Sequence, residues 1–191
     1  MSISEPVLIR EGLAGLAPSS PRSKGVHVSD LIHTIATKLG HYEESDVDAG
    51  TRTRWDLALA FERAVIRSLV EHYELADPDR YAHLGELECD GIIGTPDLYD
   101  TKDDAIEEIK LTWMTARRGP DDVKFWHYWA QLQAYCWMAR TRLSRLHVCY
   151  VNGDYGRTTR SPVYRVWERT FTEMELRINW ATLRSTREMS A

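Results

Sequence analysis

Apolar residues recur every three or four positions in four parts of the chain, a spacing that predicts four amphipathic helices. The predicted helices cover residues 28–40, 54–75, 121–140 and 172–188. Ser29, either Asp121 or Asp122, and Thr172 are the expected N-caps of the first, third and fourth helices. The segment HYEESDVDAGTRTR, between the first two helices, predicts a polar loop.

Shorter runs rich in β-branched and aromatic residues predict strands. The runs cover residues 83–89, 91–99, 105–112, 146–151 and 163–169. Asp90-Gly91 and the segment DTKDD separate the first three runs, and both are favourable turn sequences. We therefore expect a mixed α/β fold with one five-stranded sheet and helices on its faces. No repeat with a period of 20 to 50 residues is present, which excludes a solenoid.

At 191 residues, 43% hydrophobic and 28% charged, the chain has the composition of a soluble globular protein. Residues 1–25 predict an irregular N-terminal extension, and residues 26–191 predict a single domain. No run of about 18 apolar residues predicts a membrane span, and the N-terminus lacks the pattern of a secretory signal. The three cysteines form no CxxC pair, so we expect free thiols in a reducing, intracellular setting.

The net charge of −5 is unevenly distributed along the chain. Residues 140–191 contain ten arginines and five acidic residues, so the rest of the chain is strongly acidic. Arginine is the side chain best suited to phosphate oxygens, which favours a polyanionic partner for this segment. A solvated surface of salt bridges is the alternative interpretation.

The segment TPDLYDTKDDAIEEIKLTW holds the strongest candidate chemistry. Residues i and i+2 of a strand share a face, so Glu108 and Lys110 point one way while Ile109 and Leu111 point the other way, toward a core. A hairpin through DTKDD can bring Asp97 beside Glu108.

Two carboxylates held close together repel each other, and a divalent cation removes that repulsion. Oxygen ligands suit Mg²⁺ or Mn²⁺, and Lys110 beside the cation can orient water or stabilise charge on a phosphate. The arrangement therefore favours phosphodiester hydrolysis. The alternative is a surface hairpin in which Glu108 and Lys110 form an ion pair worth a few tenths of a kcal/mol.

Two predicted helices add further candidates. In the second helix, residues spaced alternately four and three positions apart lie along one face: Trp55, Leu59, Glu62, Ile66, Leu69 and Tyr73. These residues form one stripe. Glu62 is its only charged member, and a buried carboxylate needs a partner or a metal ion. In the third helix, Gln131 and Tyr135 are four residues apart and share a face. The alternatives are that Glu62 lies at the margin of the stripe, that Tyr135 is core and that Gln131 is solvated.

Together these motifs resemble the PD-(D/E)xK nuclease superfamily over roughly residues 50 to 180. The order of motifs resembles its RecB-like, phage-exonuclease-like branch, which has a Gln-x-x-x-Tyr motif. The matching residues are Glu62, Pro96-Asp97, Glu108-Ile109-Lys110, Gln131 and Tyr135, with His127 one turn before Gln131.

The resemblance implies a restriction-endonuclease-like core and a metal-dependent DNA nuclease in the cytoplasm of a bacterium or a phage-infected cell. It implies that Mg²⁺ or Mn²⁺ is bound by Glu62, Asp97, Glu108 and the carbonyl of Ile109. It also implies that Lys110 positions the attacking water, and that Gln131 and Tyr135 steady the phosphate and Lys110. The expected DNA-binding residues are Arg52, Arg54, Arg157 and Arg160. Some relatives hold an iron–sulfur cluster on four cysteines, but the three dispersed cysteines here predict none.

Several alternatives stay open at this point. Cleavage from an end, as in phage DNA processing or recombination, is favoured slightly over structure-specific internal cleavage. A non-catalytic nuclease-fold component of a larger, viral assembly is the second hypothesis, although the complete catalytic set argues against it. A glycoside hydrolase has no use for Lys110. DNA is the expected partner and a membrane is not, while homo-oligomerisation and recombination or virion partners are untested by the sequence.

Overall fold

The computed structural model describes residues 23–41, 49–74, 76–154 and 162–190. The helices are α1 (Val28–Lys38), α2 (Ala49–Glu74), α3 (Trp126–Ala139) and α4 (Glu173–Ser190). The strands are β1 (Val26–His27), β2 (Tyr81–Ala82), β3 (Leu87–Cys89), β4 (Ile92–Gly94), β5 (Leu98–Asp100), β6 (Ala105–Thr112), β7 (Leu143–Tyr150) and β8 (Val163–Thr170). The predicted N-terminal extension lies outside the described residues except for residues 23–25.

A mixed five-stranded sheet forms the centre of the fold, in the order β2-β5-β6-β7-β8. β6 and β7 are parallel, and the other neighbouring strands are antiparallel. Helix α3 packs on one face of the sheet, with α4 behind it, and α2 lies against the other face through contacts such as Phe61 with Tyr164. The predicted α/β class, with a five-stranded mixed sheet between helices, is therefore confirmed.

The membership of that sheet differs from the prediction. The run at residues 91–99 breaks into two strands, because Pro96 has no N–H to donate to a strand partner. β4 lies before this break and pairs with β3 and β1 in a separate three-stranded sheet. β5 lies after it and joins β6 in the main sheet. The Asp90-Gly91 turn joins β3 and β4 as predicted, with positive φ angles of 51° and 67° at its two residues.

The main hydrophobic core lies on the face of the sheet that carries α3. It includes Ile106 of β6, Leu146 and Tyr150 of β7, and Phe125 just before α3. Ile109 is also buried, but it points to the opposite face and is not part of this core. The expectation that Glu108 and Lys110 point away from the core is therefore wrong, because these side chains share their face with Ile106.

Helix α2 begins at Ala49, five residues before its predicted start, so part of the predicted polar loop is helical. Its 26 residues span about 39 Å, whereas the eight-residue strands span about 26 Å. The helix is therefore longer than any strand of the sheet. Trp55, Leu57 and Leu59 in its N-terminal half are exposed, so the first half of the predicted buried stripe does not face a core.

Two of the predicted helix caps are confirmed and one is wrong. Asp122 accepts from the backbone N–H of Lys124 at 2.8 Å and caps the short 3-10 helix that leads into α3. Thr172 accepts from the backbone N–H of Glu175 at 3.2 Å at the start of α4. Helix α1 is capped at His27, not at Ser29, because the Asp30 carboxylate accepts from the His27 N–H.

The last helix holds the β3–β4 turn in place from a distant part of the sequence. Trp180 Nε1 donates to Asp90 Oδ2 at 2.9 Å, and an Arg187 guanidinium N–H donates to the Asp90 carbonyl oxygen. The same guanidinium lies against Gly91, where a Cβ atom would approach it to 3.1 Å. The turn that precedes Asp97 is therefore fixed by α4.

Two further expectations from the sequence concern membranes and thiols. Among the described residues, no helix combines the length and apolar character needed to cross a membrane. Cys89, Cys136 and Cys149 are all free, as predicted.

Candidate active site

Asp97 and Glu108 lie side by side where β5 meets β6. Leu98 pairs with Glu107, so the preceding residue, Asp97, falls opposite Glu108. Asp97 Oδ2 accepts from the backbone N–H of Ile109 at 2.7 Å. The Asp97 side chain thus hydrogen-bonds to the backbone of β6 next to Leu98, where the backbone pairing of β5 with β6 ends. The hairpin brings these two carboxylates together as the sequence predicts.

Glu108 and Lys110 occupy the same face of β6 and form an ion pair through Glu108 Oε1. Glu108 is only 1% exposed. Its second oxygen, Oε2, is buried and has no hydrogen-bond partner among the described residues. A buried carboxylate oxygen without a partner is costly, so this atom marks a position where a positively charged ligand would be stabilised.

Glu62 reaches the same cluster from α2 and hydrogen-bonds to Asp97. Burial and the negative charge of Asp97 raise the pKa of Glu62 to about 7. Burial also raises the pKa of Asp97. The pair therefore shares a proton, which removes part of the repulsion between the two side chains.

Burial and neighbouring charges also shift the pKa values of Glu108 and Lys110. Burial and the neighbouring Asp97 raise the pKa of Glu108 to about 8, although Lys110 acts in the opposite direction. Burial alone would lower the pKa of Lys110, but the three surrounding carboxylates outweigh it and raise that pKa above its usual range. Lys110 therefore stays positively charged, while Glu62 and Glu108 hold their protons to a higher pH than ordinary glutamates do.

Helix α3 places Gln131 and Tyr135 over this cluster. Gln131 Nε2 donates to Tyr135 Oη at 2.8 Å, and Tyr135 is buried. Burial and the negative charge of Glu108 raise the pKa of the Tyr135 phenol, so it stays protonated. A Cβ atom at Gly94 would lie 2.9 Å from the Tyr135 ring and 2.8 Å from Met138 Sδ, so glycine is needed for this close crossing of β4 and α3.

His127 lies one turn before Gln131 on the same helix. Burial and the charge of Lys110 lower the pKa of His127 to about 4, and its ring is held by a hydrogen bond to the backbone of Lys124. The imidazole is therefore neutral at physiological pH and adds no second cation beside Lys110.

The predicted DNA-binding arginines are only partly described. Arg52 and Arg54 are exposed in the first turns of α2, and the Arg54 guanidinium lies 5.8 Å from the centre of the Trp113 ring. This contact places Arg54 beside Trp113, the residue that follows β6 and lies three residues beyond Lys110. Arg157 and Arg160 lie outside the described residues.

Half of the eight described arginines in residues 140–191 form ion pairs with carboxylates: Arg142, Arg145, Arg169 and Arg184. Intramolecular salt bridges therefore account for part of the local excess of arginine, which is the alternative interpretation of that charge pattern.

The carboxylates of the site are of the type that binds a divalent cation, but in this structure they are not arranged around a common cation position. Within the ranges that the structure describes, no three acidic, histidine or cysteine side chains are close enough together to hold a metal ion. Lys110 occupies one oxygen of Glu108, and Glu62 and Asp97 are bonded to each other. A cation would replace these contacts and the shared proton, and it would bring a partner to the buried Glu108 Oε2.

A second charged cluster, which the sequence analysis did not find, lies on the opposite face of β6. Glu107 is buried between Arg145, at 2.9 Å, and His147 of the neighbouring strand. Arg145 also contacts the buried Asp100 at 3.0 Å, and His147 Nδ1 lies 2.6 Å from Tyr164 Oη. The alternation within IEEIK could have indicated it, because adjacent glutamates must point to opposite faces. The parallel pairing of β6 with β7, which supplies the partners, has no local sequence signal.

Comparison with known proteins gives structural neighbours but no family. No protein-family model matches the chain, and no curated protein matches its sequence. The structure of SSO0001 is 13% identical with a TM-score of 0.48, covering 95% of this chain and 86% of that one. A phage related exonuclease from Haemophilus somnus 129PT is 12% identical with a TM-score of 0.43, covering 83% and 78%. The alkaline exonuclease LHK-Exo from Laribacter hongkongensis, in complex with dAMP, is 12% identical with a TM-score of 0.49, covering 86% and 87%.

These neighbours include phage-related and alkaline exonucleases, but the likeness is distant. At identities of 13% or less and TM-scores below 0.5, it does not carry the activity of those proteins over to this chain. What the site can do follows from its own carboxylates and lysine.

The raised carboxylate pKa values predict that stability depends on pH and on divalent cations. The pKa values of Glu62 and Glu108 rise from an ordinary 4.5 to about 7 and about 8. Between pH 4.5 and pH 8 the folded chain binds more protons than the unfolded chain. In EDTA, the contribution of Glu62 and Glu108 to the free energy of unfolding therefore falls as pH rises across this range. Mn²⁺ competes with the same protons, so we expect it to stabilise the fold more at pH 8 than at pH 6.

Urea unfolding at these two pH values, with Mn²⁺ or EDTA, measures the effect. In Glu108→Gln, the dependence on both pH and Mn²⁺ should be smaller. An equal stabilisation by Mn²⁺ at pH 6 and pH 8 would contradict this prediction.

Proposed function

We propose that this protein is a metal-dependent deoxyribonuclease that hydrolyses phosphodiester bonds. The observation that carries the proposal is the convergence of Glu62, Asp97, Glu108 and Lys110 from three elements, with one buried oxygen of Glu108 left without a partner. A site that only stabilised the fold would gain little from three carboxylates with raised pKa values.

Glu62, Asp97 and Glu108, together with the carbonyl oxygen of Ile109, would hold Mg²⁺ or Mn²⁺. Their oxygen ligands are of the kind that these hard cations prefer. When bound, the cation supplies positive charge at the scissile phosphate and makes water a better nucleophile.

The remaining groups act on water and on the phosphate. Lys110, charged over the whole working pH range, donates hydrogen bonds to the attacking water or to a phosphate oxygen. Gln131 and the protonated Tyr135 supply neutral donors on the α3 side of the same site. We assign contacts with backbone phosphates to Arg52 and Arg54, which are exposed in the first turns of α2, and to Arg157 and Arg160.

We further propose that the enzyme degrades DNA from an end, as a phage-type exonuclease in DNA processing or recombination. The family resemblance of its motifs favours this mode, and an acidic centre that holds cations is compatible with a polyanionic substrate. A homo-oligomer or a recombination partner would be consistent with that role.

The test is to incubate the purified protein with end-labelled linear DNA and with closed circular DNA, in Mg²⁺, Mn²⁺ or EDTA. We expect loss of the linear form only, and only with a divalent cation. Cleavage of the circular form would show an endonuclease instead. Binding of DNA without cleavage in either metal would contradict the enzyme assignment and favour the non-catalytic nuclease-fold component.

A further inference from the structure

A pocket of about 510 Å³ opens beside the carboxylate site, between α1 and the start of α3. His127 and Gln131 line it on the side of the site, and Thr112 lines it at the end of β6. Thr112 lies two residues beyond Lys110, so the two side chains share a face of the strand about 7 Å apart. The pocket is therefore next to the position where Lys110 would meet the scissile phosphate.

The pocket is lined by apolar and aromatic side chains together with polar ones such as Ser29 and His33, and a lysine lies at its rim. Ile32 and Ala36 of α1 face Met114 and the half-buried Trp126, whose ring centre lies 6.3 Å from that of His41. Lys124 is exposed at the rim. Such a cleft suits a flat, uncharged aromatic ring that is linked to an anion, and its volume is within the usual range for a small-molecule site.

We propose that this pocket holds one unpaired nucleobase of the cleaved strand, stacked on Trp126, while Lys124 contacts its phosphate. The inference rests on the proposed nuclease function and names its substrate more closely. A base inside a duplex is paired and stacked between its neighbours, and it can enter a pocket only after it leaves that stack. The preferred substrate is therefore single-stranded DNA or a frayed end, not an intact duplex.

Binding without cleavage isolates this pocket from catalysis. The assay uses EDTA, which prevents metal-dependent cleavage, and low salt, which favours contacts with phosphate. Fluorescence anisotropy compares one labelled single-stranded oligonucleotide with versions that carry a single abasic residue at successive positions. Because one base–aromatic stack changes affinity by about tenfold, we expect one position at which the abasic version binds about tenfold more weakly.

Two substitutions of the same residue provide the matched control. Trp126→Leu should bind the intact strand about tenfold more weakly and should lose the sensitivity to the abasic position. Trp126→Phe keeps an aromatic face and should retain most of both. The wild-type chain should also bind a blunt duplex of the same sequence more weakly than the single strand.

The inference is overturned if no abasic position weakens binding by the wild-type chain, or if Trp126→Leu remains as sensitive as the wild type. Equal binding of the blunt duplex, with the same dependence on Trp126, would overturn it as well. These outcomes are separable from the nuclease assignment, because the linear and circular DNA assay does not depend on where the base is held.

Discussion

Lys110→Ala and Asp97→Ala should each reduce Mg²⁺-dependent cleavage of linear DNA by about a thousandfold or more. Removal of one preorganised donor at a reacting centre typically lowers the rate by about 10²–10³, and loss of a cation ligand adds to this. Lys110 contacts Glu108 directly, and Asp97 joins β5 to β6 through the Ile109 N–H. Both changes therefore act directly at the site.

The two variants should differ in metal binding, which separates their roles. Asp97→Ala removes a carboxylate ligand and should weaken Mn²⁺ binding in a calorimetric titration. Lys110→Ala removes a competing cation from Glu108 and should bind Mn²⁺ at least as tightly as the wild type. Lys102→Ala is the matched control, because the Lys102 side chain is exposed and its ammonium group pairs with the surface residue Asp77, at 3.4 Å. If either site variant cuts DNA at the wild-type rate while Lys102→Ala does the same, the catalytic assignment is wrong.

Arg145→Ala should lower the free energy of unfolding by about 3–5 kcal/mol, since it removes one partner from a buried ion cluster. Arg145 contacts Asp100 at 3.0 Å and Glu107 at 2.9 Å, and these carboxylates are 0% and 1% exposed. Without the guanidinium, Glu107 would keep its contact with His147, and Asp100 would keep its ion pair with Arg80. The partly exposed pairs of Arg145 with Asp103 and Glu168 contribute little to this figure.

Urea unfolding at pH 7 measures this effect, with Arg142→Ala as the control. Arg142 immediately precedes β7, and within the described residues its carboxylate contact is with Glu173 at 3.5 Å, where both side chains are mostly exposed. We expect that control to change stability by less than about 1 kcal/mol. A similar small change for Arg145→Ala would mean that the cluster is not important for stability.

The local chemistry of the site could be predicted from the sequence because it depends on short-range geometry. The two-residue period of a strand places Glu108 and Lys110 on one face, and a tight hairpin returns the chain to Asp97. The four-residue spacing in α3 likewise puts Gln131 and Tyr135 on one side. These relations hold whatever the rest of the fold does.

The parts that could not be predicted depend on long-range contacts. Nothing near Glu107 in the sequence shows that β6 pairs in parallel with β7, so its bonds to Arg145 and His147 were missed. The prediction that the whole apolar stripe of α2 is buried was also wrong in its first half. Periodicity shows which residues share a face of a helix, but not which part of that face is covered by the rest of the fold. Trp55 and Leu59 lie on the predicted stripe, yet both are exposed.

The turn held by the last helix has a consequence for the order in which the protein matures. Trp180 bonds to Asp90 across 90 residues, so the hairpin just before Asp97 lacks this support while the chain is still being translated. A ribosome-bound intermediate that already contains both carboxylates and the lysine has not yet made α4. We therefore expect the β3–β4 hairpin to be less stable in chains that have not yet been extended through α4.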